Sequence, residues 1–255
     1  MTNQTMTGKV ALVTGASSGI GRATARLFAA RGARVVVADV NVDGSLETIE
    51  LISEAGGAAS FIPTDVTQAK QVAAAVNHAV TTYGRLDYAV NNAGIEGAQA
   101  PAADYPEDAW RRVIDTNLTG VWLCMKYELP QILKQQGGAI VNIASFLGLV
   151  GTAYASAYVA AKHGVIGLTK AAAVEYSAQG VRINAVSPGY VDTPMVARTG
   201  VMNDPQIRTM IERMHPIGRI GQPEEIAEAV VWLCEPSASF VTGQTLQVDG
   251  GYVAQ

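Results

Sequence analysis

Short apolar segments rich in β-branched residues alternate along the chain with longer segments whose apolar residues recur at helical spacing. Most of the apolar segments are near-continuous, as expected for parallel strands that helices cover on both faces. The predicted strands are Val10–Val13, Arg34–Ala38, Ala58–Ile62, Leu86–Val90, Ala139–Ile143, Val181–Val186 and Thr245–Val248. The predicted helices are Gly21–Ala30, Ser45–Glu54, Gln68–Thr82, Glu107–Gln135, Ala155–Ser177 and Glu224–Cys234. This alternation predicts a single doubly wound α/β domain over residues 1–255, with about seven parallel strands and right-handed crossovers.

The composition is that of a globular protein with a large core. Of the 255 residues, 49% are hydrophobic and 16% are charged, which excludes a disordered or fibrous chain. The net charge is −4 and no run of Lys and Arg is present, so we expect no nucleic-acid partner. Met1–Gly8 is polar and no apolar stretch reaches the ~18 residues of a membrane span. We therefore expect a cytoplasmic protein with no membrane partner.

One long stretch departs from the alternation of strands and helices. Residues Pro188–Gln222 mix Gly, Pro and Met with a short helical segment, directly after the sixth predicted strand. Long insertions at the carboxyl end of a strand usually form lids or binding loops. We expect a substrate-binding loop or lid around residues 188–222.

A glycine-rich turn joins the first strand to the first helix. Thr14–Gly21 reads TGASSGIG, so its glycines are spaced GxxxGxG. Such a turn lets backbone N–H groups and the helix N-terminus approach a pyrophosphate, which predicts a Rossmann-like dinucleotide site. The residues assigned to that site are Gly15, Ser17, Ser18, Gly19, Ile20 and Gly21.

The same turn also contains GxSxG, the pattern of the nucleophile elbow in hydrolases. Asp192 and His215 even follow Ser17 in the order that a hydrolase triad requires. However, an elbow serine projects from a sheet of which some strands precede it, and here only Met1–Val13 comes earlier. The position of the turn in the chain therefore favours the dinucleotide interpretation.

Asp39 ends the second predicted strand, about one helix beyond the glycine turn. A carboxylate at this place accepts hydrogen bonds from the adenosine ribose and would repel a 2′-phosphate. The neighbouring cofactor positions Val40 and Ser18 are uncharged, so neither supplies a cation for that phosphate. The sequence therefore predicts NAD(H) as the cofactor in preference to NADP(H).

Tyr158 and Lys162 lie four residues apart, on one face of a predicted helix. Such a pair alone is common on helix surfaces, where both side chains extend into solvent. Ser145 changes that interpretation because it follows the strand Ala139–Ile143, at the sheet edge where ligands bind. A serine hydroxyl there can reach the same substrate oxygen as the phenol, so the three residues are catalytic candidates.

Together these motifs resemble those of the short-chain dehydrogenase/reductase family, from about Gly8 to Tyr252. Thr14–Gly21 is similar to its TGxxxGIG turn, Asn91–Gly94 to its NNAG and Tyr158–Lys162 to its YxxxK. Pro188-Gly189 and the closing Val248-Asp249-Gly250-Gly251 match further signatures. The resemblance implies a catalytic tetrad of Asn117, Ser145, Tyr158 and Lys162. It implies cofactor contacts at Asp65, Val66, Asn91, Ala93, Gly94, Pro188, Gly189, Val191 and Thr193, besides Tyr158 and Lys162.

The chemistry of alcohol oxidation accounts for these residue types. A base must remove the hydroxyl proton as hydride leaves the carbon, and a nicotinamide accepts the hydride. Free Tyr has a pKa near ~10, but an ammonium ~4 Å away at an effective dielectric of ~20 is worth ~4 kcal/mol, or about three pKa units. Oxidised nicotinamide adds positive charge in the same place. With both charges we expect Tyr158 to be the general acid/base, functional near neutral pH, and Ser145 to hold the substrate oxygen. The resemblance implies that Asn117 supports a water chain from Lys162 to solvent.

Four further residues close to the tetrad in sequence are candidates for the substrate pocket. With Ser145 and Tyr158, the predicted substrate site comprises Leu147, Tyr154, Tyr190 and Met195. If these side chains line the pocket, it is apolar and disfavours acidic substrates. Glu96 is expected to be exposed to solvent. No spacing of His or Cys residues fits a metal site, so we expect none.

An apolar excess on two helices predicts an interface. Trp122, Leu123, Met125 and Tyr127 exceed what one sheet-facing stripe can bury, and Ala171–Ala173 permits a close approach of helices. The family resemblance also implies a homotetramer built on these two helices.

The sequence thus predicts an NAD-dependent oxidoreductase that acts on a secondary alcohol or its ketone. Two alternatives stay open. One is an NADPH-dependent 3-oxoacyl thioester reductase, against which Asp39 and Val40 argue. The other is a non-catalytic dinucleotide-sensing module, against which the intact Ser145, Tyr158 and Lys162 argue. The substrate itself is not determined, because a fold does not define one.

Overall fold

The structure is a computed structural model that describes residues 4–135 and 137–255. Residues 1–3 of the polar segment Met1–Gly8 lie outside the described residues. The strands are β1 (Val10–Thr14), β2 (Arg34–Asp39), β3 (Ala58–Pro63), β4 (Tyr88–Asn91), β5 (Gly138–Ile143), β6 (Val181–Pro188) and β7 (Thr245–Val248). The helices are α1 (Gly19–Ala30), α2 (Val42–Glu54), α3 (Ala69–Tyr83), α4 (Glu107–Ile114), α5 (Gly120–Leu133), α6 (Ser156–Tyr176), α7 (Pro194–Arg198), α8 (Pro205–Arg213) and α9 (Pro223–Cys234).

All seven strands pair in parallel, in the order β3-β2-β1-β4-β5-β6-β7. This confirms the predicted doubly wound α/β fold. The chain first builds outwards from β1 through β2 to β3, then returns to the other side of β1 with β4. Helices α1 and α5, which follow β1 and β4, therefore cover opposite faces of the sheet. Open α/β sheets bind their ligands in the crevice that such a reversal leaves at the carboxyl edge.

The sheet is apolar on both faces because helices cover both. One core cluster contains Phe28 of α1 and Val230 of α9, and the other contains Val76 of α3 and Ile132 of α5. The residues of β1 are all buried. This two-sided burial explains why the strands are near-continuous apolar runs in the sequence.

The predicted helix Glu107–Gln135 is interrupted, which corrects the sequence-based expectation of one regular helix. A π-helical turn, Asp115–Thr119, separates α4 from α5. Such a turn adds a residue to the helix and is common at functional sites. The tetrad candidate Asn117 lies in this turn and is fully buried.

The stretch 188–222 contains two helices rather than the single short one expected. Both α7 and α8 begin with a proline, Pro194 and Pro205, which tolerates the first helical position because its missing N–H would be unpaired there. Thr193 and Asp204 cap them by accepting hydrogen bonds from backbone N–H groups. Across the described ranges 4–135 and 137–255, no helix has the length and hydrophobicity needed to cross a membrane.

Candidate active site

The glycine turn after β1 is shaped by backbone positions that exclude side chains. Gly15 and Gly19 have φ angles of +65° and +52°, in the left-handed region that favours glycine. A Cβ on Gly21 would lie 2.1 Å from the carbonyl oxygen of Gly15, so α1 packs directly against the turn. The turn can therefore present its backbone N–H groups at the N-terminus of α1, where an anion is stabilised.

Asp39 closes the turn from the end of β2. One carboxylate oxygen, Oδ2, accepts a hydrogen bond of 2.9 Å from the backbone N–H of Ser17, and Oδ1 accepts one of 2.9 Å from Asn41. The side chain is buried at the wall of a cleft. Each oxygen keeps a further lone pair, so the carboxylate is oriented and still able to accept a hydroxyl donor.

The NNAG turn after β4 is attached to the glycine turn. Thr14 Oγ1 accepts hydrogen bonds from the backbone N–H groups of Asn92 (3.0 Å) and Ala93 (3.2 Å). In return, Nδ2 of Asn92 donates to the carbonyls of Thr14 and Gly15, both at 3.0 Å. Asn92 thus joins the two turns, a role that the second Asn of the NNAG motif indicates but that was not predicted from the sequence.

These turns border a cleft of about 470 Å³, which we call the glycine-turn cleft. The predicted cofactor residues that line it are Gly15, Ser17, Ser18, Gly19, Ile20, Asp39, Val40, Asp65, Val66, Ala93, Gly94 and Thr193. Gly21 lies behind the cleft and supports the turn. The cleft is also lined by Asn41, Thr64, Ile95 and Thr116, which the sequence analysis did not name.

The side chain of Asn91, for which the resemblance implied a cofactor contact, points away from the cleft. Its Nδ2 donates to Oε2 of Glu128 at 3.1 Å and to Oδ1 of Asn142 at 2.9 Å, inside the protein. The reason is strand alternation, because neighbouring residues of a strand point to opposite faces. Asn91 therefore belongs to a buried polar cluster with Glu128, Asn142 and Thr169.

A second cavity of about 490 Å³, the tyrosine cavity, adjoins the glycine-turn cleft. All six predicted substrate residues line it: Ser145, Leu147, Tyr154, Tyr158, Tyr190 and Met195. The remaining predicted cofactor residues Lys162, Pro188, Gly189 and Val191 line it as well. The two cavities share Ile20, Asn92, Gly94, Thr193, Met195 and Arg198, so a ligand can extend from one into the other.

Ser145, Tyr158 and Lys162 meet in this cavity. The Ser145 side chain lies beside the Tyr158 phenol, where it lowers the pKa of that phenol, and its hydroxyl accepts the backbone N–H of Leu147 at 3.2 Å. Nζ of the buried Lys162 donates to the carbonyl of Ile143 at 2.7 Å and lies 5.5 Å from the centroid of the Tyr158 ring. Ser145 lies two residues beyond the end of β5, and Tyr158 and Lys162 lie on α6, so regular elements of the fold position all three groups.

The electrostatics of this pair differ from the sequence-based expectation. Burial raises the pKa of Tyr158 to about 12, although the hydrogen bond with Ser145 acts in the opposite direction. Burial also lowers the pKa of Lys162 to about 8. The expected near-neutral phenol is therefore not a property of the protein alone, because desolvation penalises the phenolate more than the spacing argument allowed.

Asn117 is held at the π-helical turn by two hydrogen bonds to a single residue. Its Oδ1 accepts from the backbone N–H of Ile95 and its Nδ2 donates to the carbonyl of Ile95, both at 2.8 Å. Ile95 follows the NNAG turn and lines the glycine-turn cleft. Asn117 thus fixes the loop after β4, and the structure places it behind that loop.

Glu96, which was expected from the sequence to be exposed to solvent, forms an ion pair with Arg198. Nε of Arg198 lies 3.1 Å from Oε1 of Glu96, and Nη2 of Arg198 lies 3.4 Å from Oε2. Although burial opposes it, the hydrogen bond from Arg198 keeps the pKa of Glu96 below its ordinary value. The pair joins the loop after β4 to α7, and both residues line the tyrosine cavity.

Similarity to known proteins extends over nearly the whole chain. The family model described as enoyl-(acyl carrier protein) reductase, adh_short_C2, matches residues 15–253. A cyclohexanol dehydrogenase of Acinetobacter sp. (strain SE19) is 48% identical over 97% of this chain and 96% of its own. A cis-4-hydroxycyclohexanecarboxylate dehydrogenase of Sinomonas cyclohexanicum is 50% identical over 96% of this chain and 97% of its own.

Solved structures give the same result. Levodione reductase superimposes with a TM-score of 0.94, at 38% identity over 98% of this chain and 99% of its own. A putative 2-deoxy-D-gluconate 3-dehydrogenase from Agrobacterium tumefaciens with bound NADP has a TM-score of 0.90, at 36% identity over 100% of both chains. The chain belongs to the short-chain dehydrogenase/reductase family. It is an oxidoreductase that uses a nicotinamide dinucleotide and acts on a secondary alcohol or its ketone.

Proposed function

We propose that this protein interconverts a cyclic secondary alcohol and its ketone with NAD(H). The observation that carries the proposal is the meeting of Ser145, Tyr158 and Lys162 in a cavity that opens into the glycine-turn cleft. Ser145 and Tyr158 both line this cavity, so a substrate hydroxyl bound by Ser145 is also within reach of the phenol. A sensing module has no need of such a base, so we assign an enzymatic role.

In the proposed reaction, Tyr158 is the general acid/base, Ser145 holds the substrate oxygen and Lys162 stabilises the phenolate. Bound NAD supplies the hydride acceptor and a positive charge beside the phenol. That charge and Lys162 together oppose the burial that raises the pKa of Tyr158 to about 12. Lys162 holds its position by donating to Ile143, so its charge stays above the ring when the phenol ionises.

The preference for NAD over NADP is assigned to Asp39. Its carboxylate is fixed by Ser17 and Asn41 at the wall of the glycine-turn cleft, where it favours ribose hydroxyls and repels a 2′-phosphate. Arg22 is a cation in the first turn of the neighbouring helix α1, but Glu47 and the carbonyl of Ser17 already engage its guanidinium. The NADP-bound neighbour has the same fold, so the choice of cofactor depends on such local residues.

A six-membered ring is the substrate class that we favour. The tyrosine cavity has largely apolar and aromatic walls, among them Phe146, Leu147, Tyr190 and Met195. Such walls bind a ring through its apolar surface, while Ser145 and Tyr158 orient one hydroxyl. Both curated relatives described above are named for substrates with a cyclohexane ring. The alternative, an NADPH-dependent 3-oxoacyl thioester reductase, is disfavoured by Asp39.

We assign residues 188–222, which contain α7 and α8, as the substrate-binding loop or lid of a single domain. The chain forms a cytoplasmic homotetramer through α5 and α6, whose outer surfaces expose Trp122 and Val174. Leu123 and Met125, expected at this interface from the sequence, are buried within the subunit instead.

A spectrophotometric assay tests the function. Purified protein is mixed with NAD or NADP and a panel of cyclohexanols, open-chain secondary alcohols and 3-hydroxyacyl thioesters, and the nicotinamide absorbance is followed. We expect the highest kcat/KM with NAD and a ring alcohol. Preferred turnover of the thioester with NADP would instead establish the alternative function.

A further inference from the structure

The Glu96–Arg198 ion pair is the unusual feature of the tyrosine cavity. The charged side chains that line this cavity, within the described part of the chain, are Glu96, Lys162 and Arg198. Nζ of Lys162 donates to the Ile143 carbonyl and lies over the Tyr158 ring, so its charge serves the phenol. Glu96 and Arg198 are therefore the charged groups that face the remainder of a substrate.

The position of Arg198 makes it a natural partner for an anion. It lies at the end of α7, and it lines both the tyrosine cavity and the glycine-turn cleft. A guanidinium binds a carboxylate through two parallel hydrogen bonds. In this structure both of those bonds, at 3.1 and 3.4 Å, are made to Glu96.

Glu96 therefore has two effects on a ligand that carries a negative charge. It occupies two of the five N–H donors of Arg198, one on Nε and one on Nη2, and its own charge repels a second carboxylate in the same cavity. A neutral ring alcohol meets neither obstacle, because it needs no cation and the ion pair has no net charge. Excluding a ligand by an unfavourable charge is a common route to specificity.

We propose that Glu96 is a specificity-determining residue that masks Arg198, so that the protein accepts uncharged ring alcohols and rejects ring alcohols bearing a carboxylate. This inference rests on the proposed function and refines it. It predicts that this chain does not accept cis-4-hydroxycyclohexanecarboxylate, the compound for which one of its relatives is named. Removing the charge of Glu96 should release Arg198 to bind that carboxylate.

The test compares two substrates with NAD, cyclohexanol and cis-4-hydroxycyclohexanecarboxylate, in the wild type and in three variants. Glu96→Gln keeps the size of the side chain and removes its charge. Arg198→Met removes the cation and leaves Glu96 unpaired. Glu107→Gln is the matched control, because it also removes one negative charge from an ion pair, that with Arg111 on the exposed face of α4.

The measured quantity is the ratio of kcat/KM for the carboxylate to kcat/KM for cyclohexanol. We expect a low ratio in the wild type and an increase of about tenfold or more in Glu96→Gln, as a charged hydrogen bond to Arg198 becomes available. Arg198→Met should lower the ratio further, and Glu107→Gln should leave it at the wild-type value. An unchanged ratio in Glu96→Gln, or a high ratio in the wild type, would overturn the inference.

The pH dependence of kcat/KM provides a second measurement, which would not change if Glu96 had only a structural role. The charge of Glu96 contributes to the raised pKa of Tyr158, so Glu96→Gln should shift the acid limb of kcat/KM for cyclohexanol to lower pH. Arg198→Met, which leaves that charge unpaired, should shift it to higher pH. Shifts of the same sign in both variants would contradict the assigned electrostatic role.

Binding measurements separate a failure of this inference from a failure of the proposed function. Cyclohexanecarboxylate and cyclohexanecarboxamide differ in charge but not in ring size, and their Kd values with NADH-loaded protein require no turnover. If neither alcohol is oxidised but Glu96→Gln binds the carboxylate about tenfold more tightly relative to the amide, the specificity role stands and the proposed function fails. If Glu96→Gln tightens only the binding of NADH, Arg198 serves the cofactor and the inference fails.

Discussion

Glu128 carries a carboxyl group that is completely buried on α5, and its titration should control the stability of the protein at neutral pH. Its Oε2 accepts a hydrogen bond of 3.1 Å from Nδ2 of Asn91, while Oε1 of Glu128 and Oδ1 of Asn91 have no hydrogen-bond partner among the described residues. Burial raises the pKa of Glu128 to about 8, although the bond from Asn91 opposes the increase. The neutral acid therefore predominates in the folded protein at pH 7.

The direction of the pH dependence follows from that raised pKa. The folded state binds the proton more tightly than the unfolded state, whose carboxyl keeps its ordinary pKa of 4.5. The stabilising contribution is thus complete below pH 4.5 and disappears as the pH rises through 8. Each pKa unit corresponds to about 1.4 kcal/mol, so between pH 5 and pH 8 the free energy of unfolding should fall by on the order of 3.5 kcal/mol from this group alone.

Glu128→Gln isolates this contribution because the amide has nearly the same shape, accepts from Asn91 and does not titrate. Thermal unfolding is followed at pH 5, 6, 7 and 8 for the wild type, for Glu128→Gln and for the control Glu50→Gln on the exposed side of α2, all at one protein concentration. The Tm of Glu128→Gln should rise relative to that of the wild type by about 7–14 °C between pH 5 and pH 8. Parallel Tm profiles for Glu128→Gln and the wild type would refute the assignment of a neutral buried acid.

Three further predictions concern the proposed active site. Tyr158→Phe should lower kcat by about 10²–10⁴-fold and leave the Kd for NADH nearly unchanged, as measured by fluorescence titration; retention of most activity would exclude Tyr158 as the general base. Asp39→Ala should lower the ratio of kcat/KM with NAD to kcat/KM with NADP by about tenfold or more, whereas a ratio unchanged from that of the wild type would exclude a role of Asp39 in cofactor choice. Gly21→Ala places a Cβ where the Gly15 oxygen lies 2.1 Å away, so it should cost about 1–3 kcal/mol of stability and weaken NADH binding, and a normal Tm with a normal Kd would contradict this packing.

Local pattern was enough to predict most of the architecture. The seven strand segments, the glycine turn and the Tyr158–Lys162 spacing are short-range features, and each lies within a residue or two of its predicted place. The reason is physical: hydrophobic periodicity follows from burial on one or two faces, and glycine is selected by backbone angles within the turn. The same information predicted a serine at the sheet edge beside the phenol.

The features that the sequence did not predict depend on partners far along the chain or on burial. Glu96 is paired with Arg198, which lies 102 positions away. Asn117 lies in the π-helical turn and accepts a hydrogen bond from the backbone N–H of Ile95. The side chain of Asn91 points into the core, and that of Asn92 points toward the glycine turn. Strand alternation places the two side chains on opposite sides, but only the register of the strand decides which of them faces the core.

The protonation of the site was likewise decided by tertiary structure. The spacing of Tyr158 and Lys162 predicts that they are neighbours, but only the packing around them determines that desolvation governs the pKa values of both. Sequence by itself thus determined the family and the fold, and it predicted the candidate reactive groups, since all of these follow from local residue types. Tertiary structure decided the charges that surround those groups, because an electrostatic interaction depends on distance and burial in space rather than on separation along the chain.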